Sequence, residues 1–309
     1  MDQKRTLLRS WMFVPGDRQR MIDKSLGLPV DAIMMDIEDG VAPSEKDTAR
    51  RQIASSLSRV AKQLTETAAP LRMPARYVRI NAVGHERMHA DLSSVVRPSL
   101  DGLVVPKVET AEQVKLVSGV LDRHEPQAEI PSGSVRLLIA IESPQGLFNA
   151  YAIASASPRV IGLIFGAEDF SRELSLPLRR DGEARDLLYA RSVIVTAAAA
   201  AHVQGIDAVW TDLQDMEGLQ KYALQSRRLG FSGMSLIHPS QIDDVNAAFT
   251  PTAEELDHCR RVLQAFEEAR DRGEGAVAFG GQLLDFPIVE RARQTLALAE
   301  SIALGNNIM

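Results

Sequence analysis

Eight short apolar runs, each ending in a polar or charged residue, recur along the chain and constrain its fold more than any other feature. They are WMFVPGD (11–17), AIMMDIEDG (32–40), RYVRIN (76–81), GLVVPK (102–107), RLLIAIES (136–143), VIGLIFGAED (160–169), IDAVWTD (206–212) and MSLIHPS (234–240). A short continuous run of Val, Ile, Leu and Met bounded by turn residues reads as a strand buried on both faces. Here the start of each run is apolar and its end carries the polar load: Asp17; Asp36, Glu38 and Asp39; Arg79 and Asn81; Lys107; Glu142; Glu168 with Asp169; Asp212; and His238. Helical patterns fill the gaps, which implies parallel pairing with right-handed crossovers. An open doubly wound sheet alternates in the same way, but a count of eight favours closure into a (β/α)8 TIM barrel. Such a barrel builds its active site at the C-terminal ends of its strands. One mouth then gathers most of the unusual charges.

The gaps predict helices over 18–28, 44–64, 110–123, 144–156, 186–204, 215–229 and 239–249. Asp17 is placed to cap the first. Ser44, with Asp47 three residues on, has a capping-box spacing for the second. Thr110 is the N-cap of the third. Ser143 followed by Pro144 pairs a cap with proline at the first helical position. Gly230 closes the helix over 215–229. Segments 66–75 and 124–134 read as loops.

After Phe249 the pattern changes. A capped amphipathic helix runs to Gly273, two short strands flank Gly280 and Gly281 within 276–287, and a last helix covers 288–304. The division is a barrel catalytic domain over 1–249 and a C-terminal helix-hairpin-helix extension over 250–309. The extension can lid its own barrel or reach a neighbouring subunit.

The chain has 309 residues and a net charge of −6, with no basic run and no zinc-finger spacing. Nucleic acid is therefore not expected as a partner. An anionic small molecule stays open, because a few local Arg and Lys residues suffice. The single Cys259 cannot form an intrachain disulfide, which favours a reducing compartment. The first residues lack the apolar stretch of a signal peptide. The longest apolar block, 193–203, is interrupted by Thr196 and His202 and is too short to span a membrane. A cytoplasmic protein with no membrane partner is the expectation. Nucleotide-binding glycine motifs, HExxH and a nucleophile elbow are absent from the sequence.

Glu142 and Asp169 end the fifth and sixth runs. Neighbouring strands lie about 4.8 Å apart, so their end residues can converge on one ion. Two carboxylates completed by substrate oxygens and water is a habitual Mg2+ arrangement. The alternative is that each carboxylate caps the next helix, a role Ser143 already fills beside Glu142. Glu168 competes with Asp169 as ligand. Arg79 is either a fork for a substrate carboxylate or the partner of Asp36, Glu38 or Asp39, and both can hold together. Strand alternation puts Asp36 and Glu38 on one face, for acid–base work, for orienting Arg79, or as a solvated rim. His238 reads first as a structural residue. Gly16 with Arg18 and Lys24 forms a weak phosphate-binding signal at a helix start.

The motifs RSWMFVPGDRQRM, DAIMMDIEDGVAPSEKDTAR, YVRINAVG, GLVVPKVET, IAIESPQGL, FGAEDFSREL and IHPSQI follow in this order. From about Leu8 to Ala297 the chain resembles the citrate lyase β-subunit-like branch of the HpcH/HpaI aldolase superfamily, which includes malyl-CoA, citramalyl-CoA and citryl-CoA lyases. The resemblance implies a (β/α)8 barrel, Mg2+, and an acyl-CoA or acyl-carrier thioester with a 2-oxo acid. It also implies a homotrimer or homohexamer. It makes Arg79 the residue that grips the substrate carboxylate, and Glu142 and Asp169 the metal ligands. The tail GGQLLDFPIV resembles a family segment whose acid enters a neighbouring subunit's site, here Asp285. Arg18 and Lys24 are the candidates for CoA contact. The stretch 170–186 lies where substrate-selecting loops sit and departs from the family in detail, so the acyl group stays open.

The implied chemistry is reversible Claisen-type carbon–carbon cleavage of a 3-hydroxyacyl thioester, with Asp285 as the acid that protonates the enolate. Two other functions share these residues. One is malate synthase-like or thioesterase activity on the same thioesters; the other is a non-catalytic acyl-CoA-binding subunit.

Overall fold

Eight parallel strands pair in sequence order and close on themselves in the computed structural model of the protein, which describes residues 8–67, 73–177, 184–271 and 277–304. The strands are β1 (Ser10–Pro15), β2 (Ala32–Asp36), β3 (Ala75–Arg79), β4 (Gly102–Val105), β5 (Arg136–Ile141), β6 (Val160–Phe165), β7 (Gln204–Asp207) and β8 (Gly233–Leu236). Helices α1 (Gln19–Ser25), α2 (Lys46–Glu66), α3 (Met88–Val95), α4 (Ala111–Gln127), α5 (Pro144–Phe148), α6 (Ala150–Ala154), α7 (Ala167–Glu173), α8 (Leu188–Ala200), α9 (Met216–Leu229) and α10 (Ile242–Ala248) follow the strands. The expected (β/α)8 barrel is therefore present.

The barrel interior is packed, as the short apolar strands require. Trp11, Ala32, Met34, Ala75, Tyr77, Val104, Leu138, Ala140, Ile164 and Ile206 form one buried cluster. The rings of Trp11 and Tyr77 meet with centroids 4.6 Å apart. Tyr77 is in register with Gly102, and a Cβ at Gly102 would lie 2.5 Å from the tyrosine ring. The glycine makes room for the largest inward side chain of β3.

Three of the expected caps form. Thr110 and Gln113 cap α4 reciprocally, the Ser143 Oγ accepts the Gly146 N–H at 3.0 Å, and Gly230 ends α9 at φ 105°. Two others do not. The Arg18 N–H bonds back to the Pro15 carbonyl, so the chain turns past Asp17 before α1 begins. Pro43–Glu45 forms a tight 3-10 turn, which moves the start of α2 beyond Ser44.

Other boundaries move for tertiary reasons. The helix expected over 144–156 breaks at Asn149, whose side chain donates to the Glu109 carbonyl at 2.7 Å. Conversely, α4 continues through Pro126 to Gln127, inside the expected loop over 124–134. Glu125 is fully buried there and accepts from Arg159 and from the Gly133 and Val135 N–H groups. The expected loop over 66–75, the segment 170–186 and the helix end at Gly273 fall partly outside the described residues.

The polypeptide divides into two compact units, one of them Leu8–Asn246; the other begins at Ala247. The second unit contains α11 (Ala253–Asp271), the antiparallel hairpin β9 (Val277–Phe279) and β10 (Gln282–Leu284), and α12 (Phe286–Ala303). The Gly280–Gly281 turn has positive φ at both positions, as a two-residue hairpin favours. Val262, Leu284, Val289 and Ala292 form its core. Among the described residues, no helix is long and apolar enough to cross a membrane.

Candidate active site at the mouth of the barrel

A cavity of about 110 Å³ opens among the C-terminal strand ends. Its apolar wall includes Phe13, Met34, Val104, Ala140 and Ile164, and its polar lining includes Arg79, Glu142, Glu168, Asp169 and Ser235. Period-two alternation explains the selection. On β5 the inward series is Leu138, Ala140 and then Glu142; on β3 it is Ala75, Tyr77 and then Arg79. The last inward position of each strand carries the charge.

Arg79 is held from two sides. Its Nε and one terminal nitrogen donate to Asp36 at 2.7 Å each, and the other terminal nitrogen lies 3.2 Å from Glu38. Its cationic carbon sits 5.0 Å from the centre of the Phe13 ring. Burial alone would make Arg79 less basic, but the Asp36 hydrogen bonds and the charges of Asp36, Glu38 and Glu142 overcome it and raise its pKa. The ion pair with Asp36 and Glu38 thus exists, and Arg79 lines the cavity at the same time.

Asp36 is itself fixed by the chain that follows it. Its two oxygens accept the Glu38 and Gly40 N–H groups at 2.9 and 2.8 Å. Glu38 and Asp39 share the ammonium of Lys107. The buried Lys46 donates to the carbonyls of Ile37 and Glu38 at 2.7 Å and to Asn81 at 3.2 Å. Asn81 in turn donates to Asp91, which accepts from Arg50. Asp36 and Glu38 therefore sit in a buried, cation-matched network rather than on a solvated rim, and Asp39 is exposed at its edge.

Glu142 differs. It is 6% exposed, and among the described residues it has no ion pair. One carboxylate oxygen accepts the Lys107 backbone N–H at 2.9 Å. Burial, with the charges of Glu38 and Asp169 adding to it, pushes its pKa up to about 7, against the pull of Arg79 and of the Lys107 N–H. Gly166, which begins the turn into α7, lies directly against it. A Cβ at Gly166 would come within 2.3 Å of the Glu142 Cγ. Asp169 stands in the first turn of α7, a quarter exposed, and pairs with the exposed Arg172 at 2.8 Å.

The structure therefore brings Arg79, Glu142 and Asp169 to one cavity, with Glu168 beside them. Arg18 is exposed at the start of α1, where its Nε is 3.3 Å from Asp17, and Lys24 is exposed in the last turn of the same helix. Asp285 belongs to the second unit, where its carboxylate accepts the Ile288 N–H and caps α12. His238 caps a short 3-10 turn through its ring nitrogen, the structural role that its motif first suggests. Asp212 is exposed and accepts the Gln214 N–H. The sequence reading missed Lys46 and Ser235. Neither carries a local signal, because the partners of Lys46 and the burial of Ser235 come from other strands.

Glu142, with no ion pair among the described residues, and Asp169, paired with the exposed Arg172, present carboxylate oxygens beside an open cavity. Such a set fits a hard divalent cation of the magnesium type, which takes one or two carboxylates and completes its shell with water and substrate. Among the described residues, no group of three or more His, Cys, Asp or Glu side chains forms a closed protein cage for a metal.

Comparison with known proteins agrees with this architecture. The family model HpcH/HpaI aldolase/citrate lyase matches residues 9–239. The citrate lyase subunit beta of Escherichia coli K12 is 40% identical over 301 residues, 97% of this chain and 96% of that one. The (3S)-malyl-CoA thioesterase of Cereibacter sphaeroides strain KD131 is 35% identical over 96% of this chain and 95% of that one. A crystal structure of protein CitE from Mycobacterium tuberculosis, in complex with magnesium, acetoacetate and coenzyme A, superposes with a TM-score of 0.76. It is 32% identical and covers 96% of this chain and 99% of that one. With the motifs, the closed barrel and these matches in agreement, the chain belongs to the HpcH/HpaI aldolase/citrate lyase family.

Proposed function

We propose that this chain is a magnesium-dependent carbon–carbon lyase. It cleaves, or in reverse condenses, a 3-hydroxyacyl-CoA of the malyl, citramalyl or citryl type into an acyl-CoA and a 2-oxo acid. The observation that carries this reading is the meeting of Glu142, Asp169 and Arg79 at one cavity. Glu142, which has no ion pair among the described residues, and Asp169, paired with the exposed Arg172, stand beside a guanidinium already anchored by Asp36.

Glu142 and Asp169 would hold the cation, which when bound supplies Lewis-acid stabilisation of the negative charge that develops on a substrate oxygen. Arg79 binds the substrate carboxylate and fixes its orientation, its position secured from behind by Asp36 and Glu38. The apolar wall of Phe13, Met34, Val104, Ala140 and Ile164 keeps water from the reacting carbons. In cleavage, the hydroxyl gives its proton to solvent water, its oxygen becomes the carbonyl of the 2-oxo acid, and the carbon–carbon bond breaks with its electron pair passing to the thioester half. The resulting enolate takes a proton on carbon. Asp285 is assigned as that acid, and in condensation its carboxylate removes the same proton. Arg18 and Lys24 are assigned to the phosphates of CoA. The division of labour is a catalytic barrel over 1–249 and an extension over 250–309 that delivers Asp285 within a cytoplasmic homotrimer or homohexamer.

The test is a lyase assay on the purified chain with malyl-, citramalyl- and citryl-CoA, following the 2-oxo acid and the acyl-CoA. Turnover that requires Mg2+ and stops with a chelator supports the reading; no 2-oxo acid from any of the three refutes it. A second reading, thioester hydrolysis, is favoured by the likeness to the Cereibacter sphaeroides thioesterase. Free thiol appearing at the rate of substrate loss would select it.

A further inference from the structure

Two hydrogen-bond donors are left over inside the barrel, and they stand side by side. Trp11 on β1 and Ser235 on β8 are register partners on adjacent strands. Residues in register on parallel strands project to the same face. Trp11 belongs to the interior cluster, and Ser235 lines the cavity that contains Arg79 and Glu142. Trp11 is fully buried and Ser235 is 2% exposed. Neither the Trp11 Nε1 nor the Ser235 Oγ makes a hydrogen bond with the described residues. Five buried side-chain polar atoms are in that condition among the described residues, and two of them fall at this one register pair. The charged groups of the cavity, by contrast, each have a partner.

A buried donor without an acceptor is destabilising. Native structures keep such groups where function uses them. The surroundings narrow that use. Met34, Val104, Ala140 and Ile164 supply the apolar part of the wall. The Ser235 hydroxyl is set into that wall, and the indole of its register partner Trp11 packs in the interior cluster next to it; one oxygen atom of a ligand would match both donors.

We propose that Ser235 and Trp11 form an oxygen-binding subsite on the floor of the cavity, which takes the oxygen-bearing far end of the bound 2-oxo acid. The assignment rests on the lyase reading above. With the carboxylate end of the oxo acid engaged at the charged rim, its third carbon faces the floor. A methyl group there leaves both donors unmet. A carboxylate or a hydroxyl oxygen meets them, after a rotation about χ1 of Ser235 that turns its Oγ to the ligand. Sites built to hydrogen-bond a substrate oxygen reject the analogue that lacks it more steeply than shape alone allows. Ser235 is then a specificity-determining residue.

The experiment measures binding of pyruvate, oxaloacetate and hydroxypyruvate to the full chain in saturating Mg2+, by calorimetry, for wild type, Ser235→Ala and Trp11→Phe. Wild type is expected to bind at least one oxygen-bearing acid about tenfold more tightly than pyruvate, and Ser235→Ala to lose that preference. Trp11→Phe keeps the ring and is expected to weaken the same preference. Which acid is favoured tells whether the subsite takes a charged or a neutral oxygen. The free Ser235→Ala protein is expected to melt no lower than wild type, since it loses only an unmet hydroxyl. Equal affinity for all three acids in wild type, or a preference that survives in both variants, overturns the subsite and leaves the lyase reading standing. Failure of wild type to bind any of the three overturns the lyase reading and the subsite with it.

Discussion

Glu142 accepts the backbone N–H of Lys107 at 2.9 Å, and Lys107 aims that N–H from the left-handed region, at φ 53°. A residue with a side chain pays about 1 kcal/mol or more for that conformation. The lysine ammonium, shared between Glu38 and Asp39, offsets the cost. Strain of this kind gathers at functional sites. Here it ties the end of β4 to the carboxylate that ends β5.

The buried carboxyl of Glu142 gives the metal-free protein a pH signature. Its pKa rises from the ordinary 4.5 to about 7, through burial first and then the charges of Glu38 and Asp169. Between these values the folded chain keeps a proton that the unfolded chain has lost. The group's contribution to stability is complete below its unfolded pKa and disappears as pH rises through 7. The loss is on the order of 3 kcal/mol. Thermal melts of the chelated protein should therefore fall between pH 5 and pH 8, and Glu142→Gln should flatten that slope. Metal must displace the same proton, so Mg2+ affinity measured by calorimetry should be about tenfold weaker at pH 6 than at pH 8.

Gly166 should prove irreplaceable for metal binding but not for folding. Its φ of −92° is open to any residue, so the constraint is space alone. A methyl group there would sit 2.8 Å from the Glu142 Oε1. Gly166→Ala is expected to cost about 1–3 kcal/mol by overpacking and to push the carboxylate out of place. Mg2+ titration should show at least a tenfold loss of affinity in a chain whose circular dichroism is unchanged. Unchanged affinity would mean that Glu142 does not hold the metal.

Arg79 joins structure to chemistry, and the two roles can be separated. Arg79→Ala leaves Asp36, 2% exposed, without its ion-pair cation, while Glu38 keeps Lys107. Removing one partner of a buried pair costs about 3–5 kcal/mol, readable as a shift in the urea midpoint. Adding Asp36→Asn should return part of that stability, because one stranded charge is gone. Turnover should not return, since the fork for the substrate carboxylate is still missing. Recovery of turnover in the double variant would make Arg79 a purely structural residue.

The barrel was legible because its signal is local. Each run holds its strand and its terminal polar or charged residue within six to ten residues, and Thr110, Ser143 and Gly230 act on their own helix ends. What local pattern does not carry is decided across the fold. Asn149 breaks a helix by reaching the Glu109 carbonyl, and Glu125 extends one by meeting Arg159. Lys46 is an unremarkable helix residue in sequence, yet its ammonium joins the second and third strand ends through Glu38 and Asn81. Arg79, Glu142 and Asp169 were visible as strand-end charges. That Asp36 and Glu38 grip Arg79 while Glu142 has no ion pair among the described residues depends on their separate surroundings.

Asp285 supplies the sharpest test of the proposed proton transfer, because its structural duty can be held constant. Its carboxylate caps α12, and asparagine caps about as well as aspartate. Asp285→Asn should therefore leave the melting temperature and the Mg2+ affinity of the barrel unchanged. Without a group able to exchange a proton, turnover should drop by about 10²–10⁴-fold, and exchange of solvent deuterium into the acyl-CoA product should slow in parallel. Asp285→Ala removes the cap as well and should destabilise the chain by about 1 kcal/mol more. A wild-type rate in the asparagine variant would move the acid–base role to another residue. A fall in turnover matched by an equal fall in Mg2+ binding would place Asp285 in metal binding rather than in proton transfer.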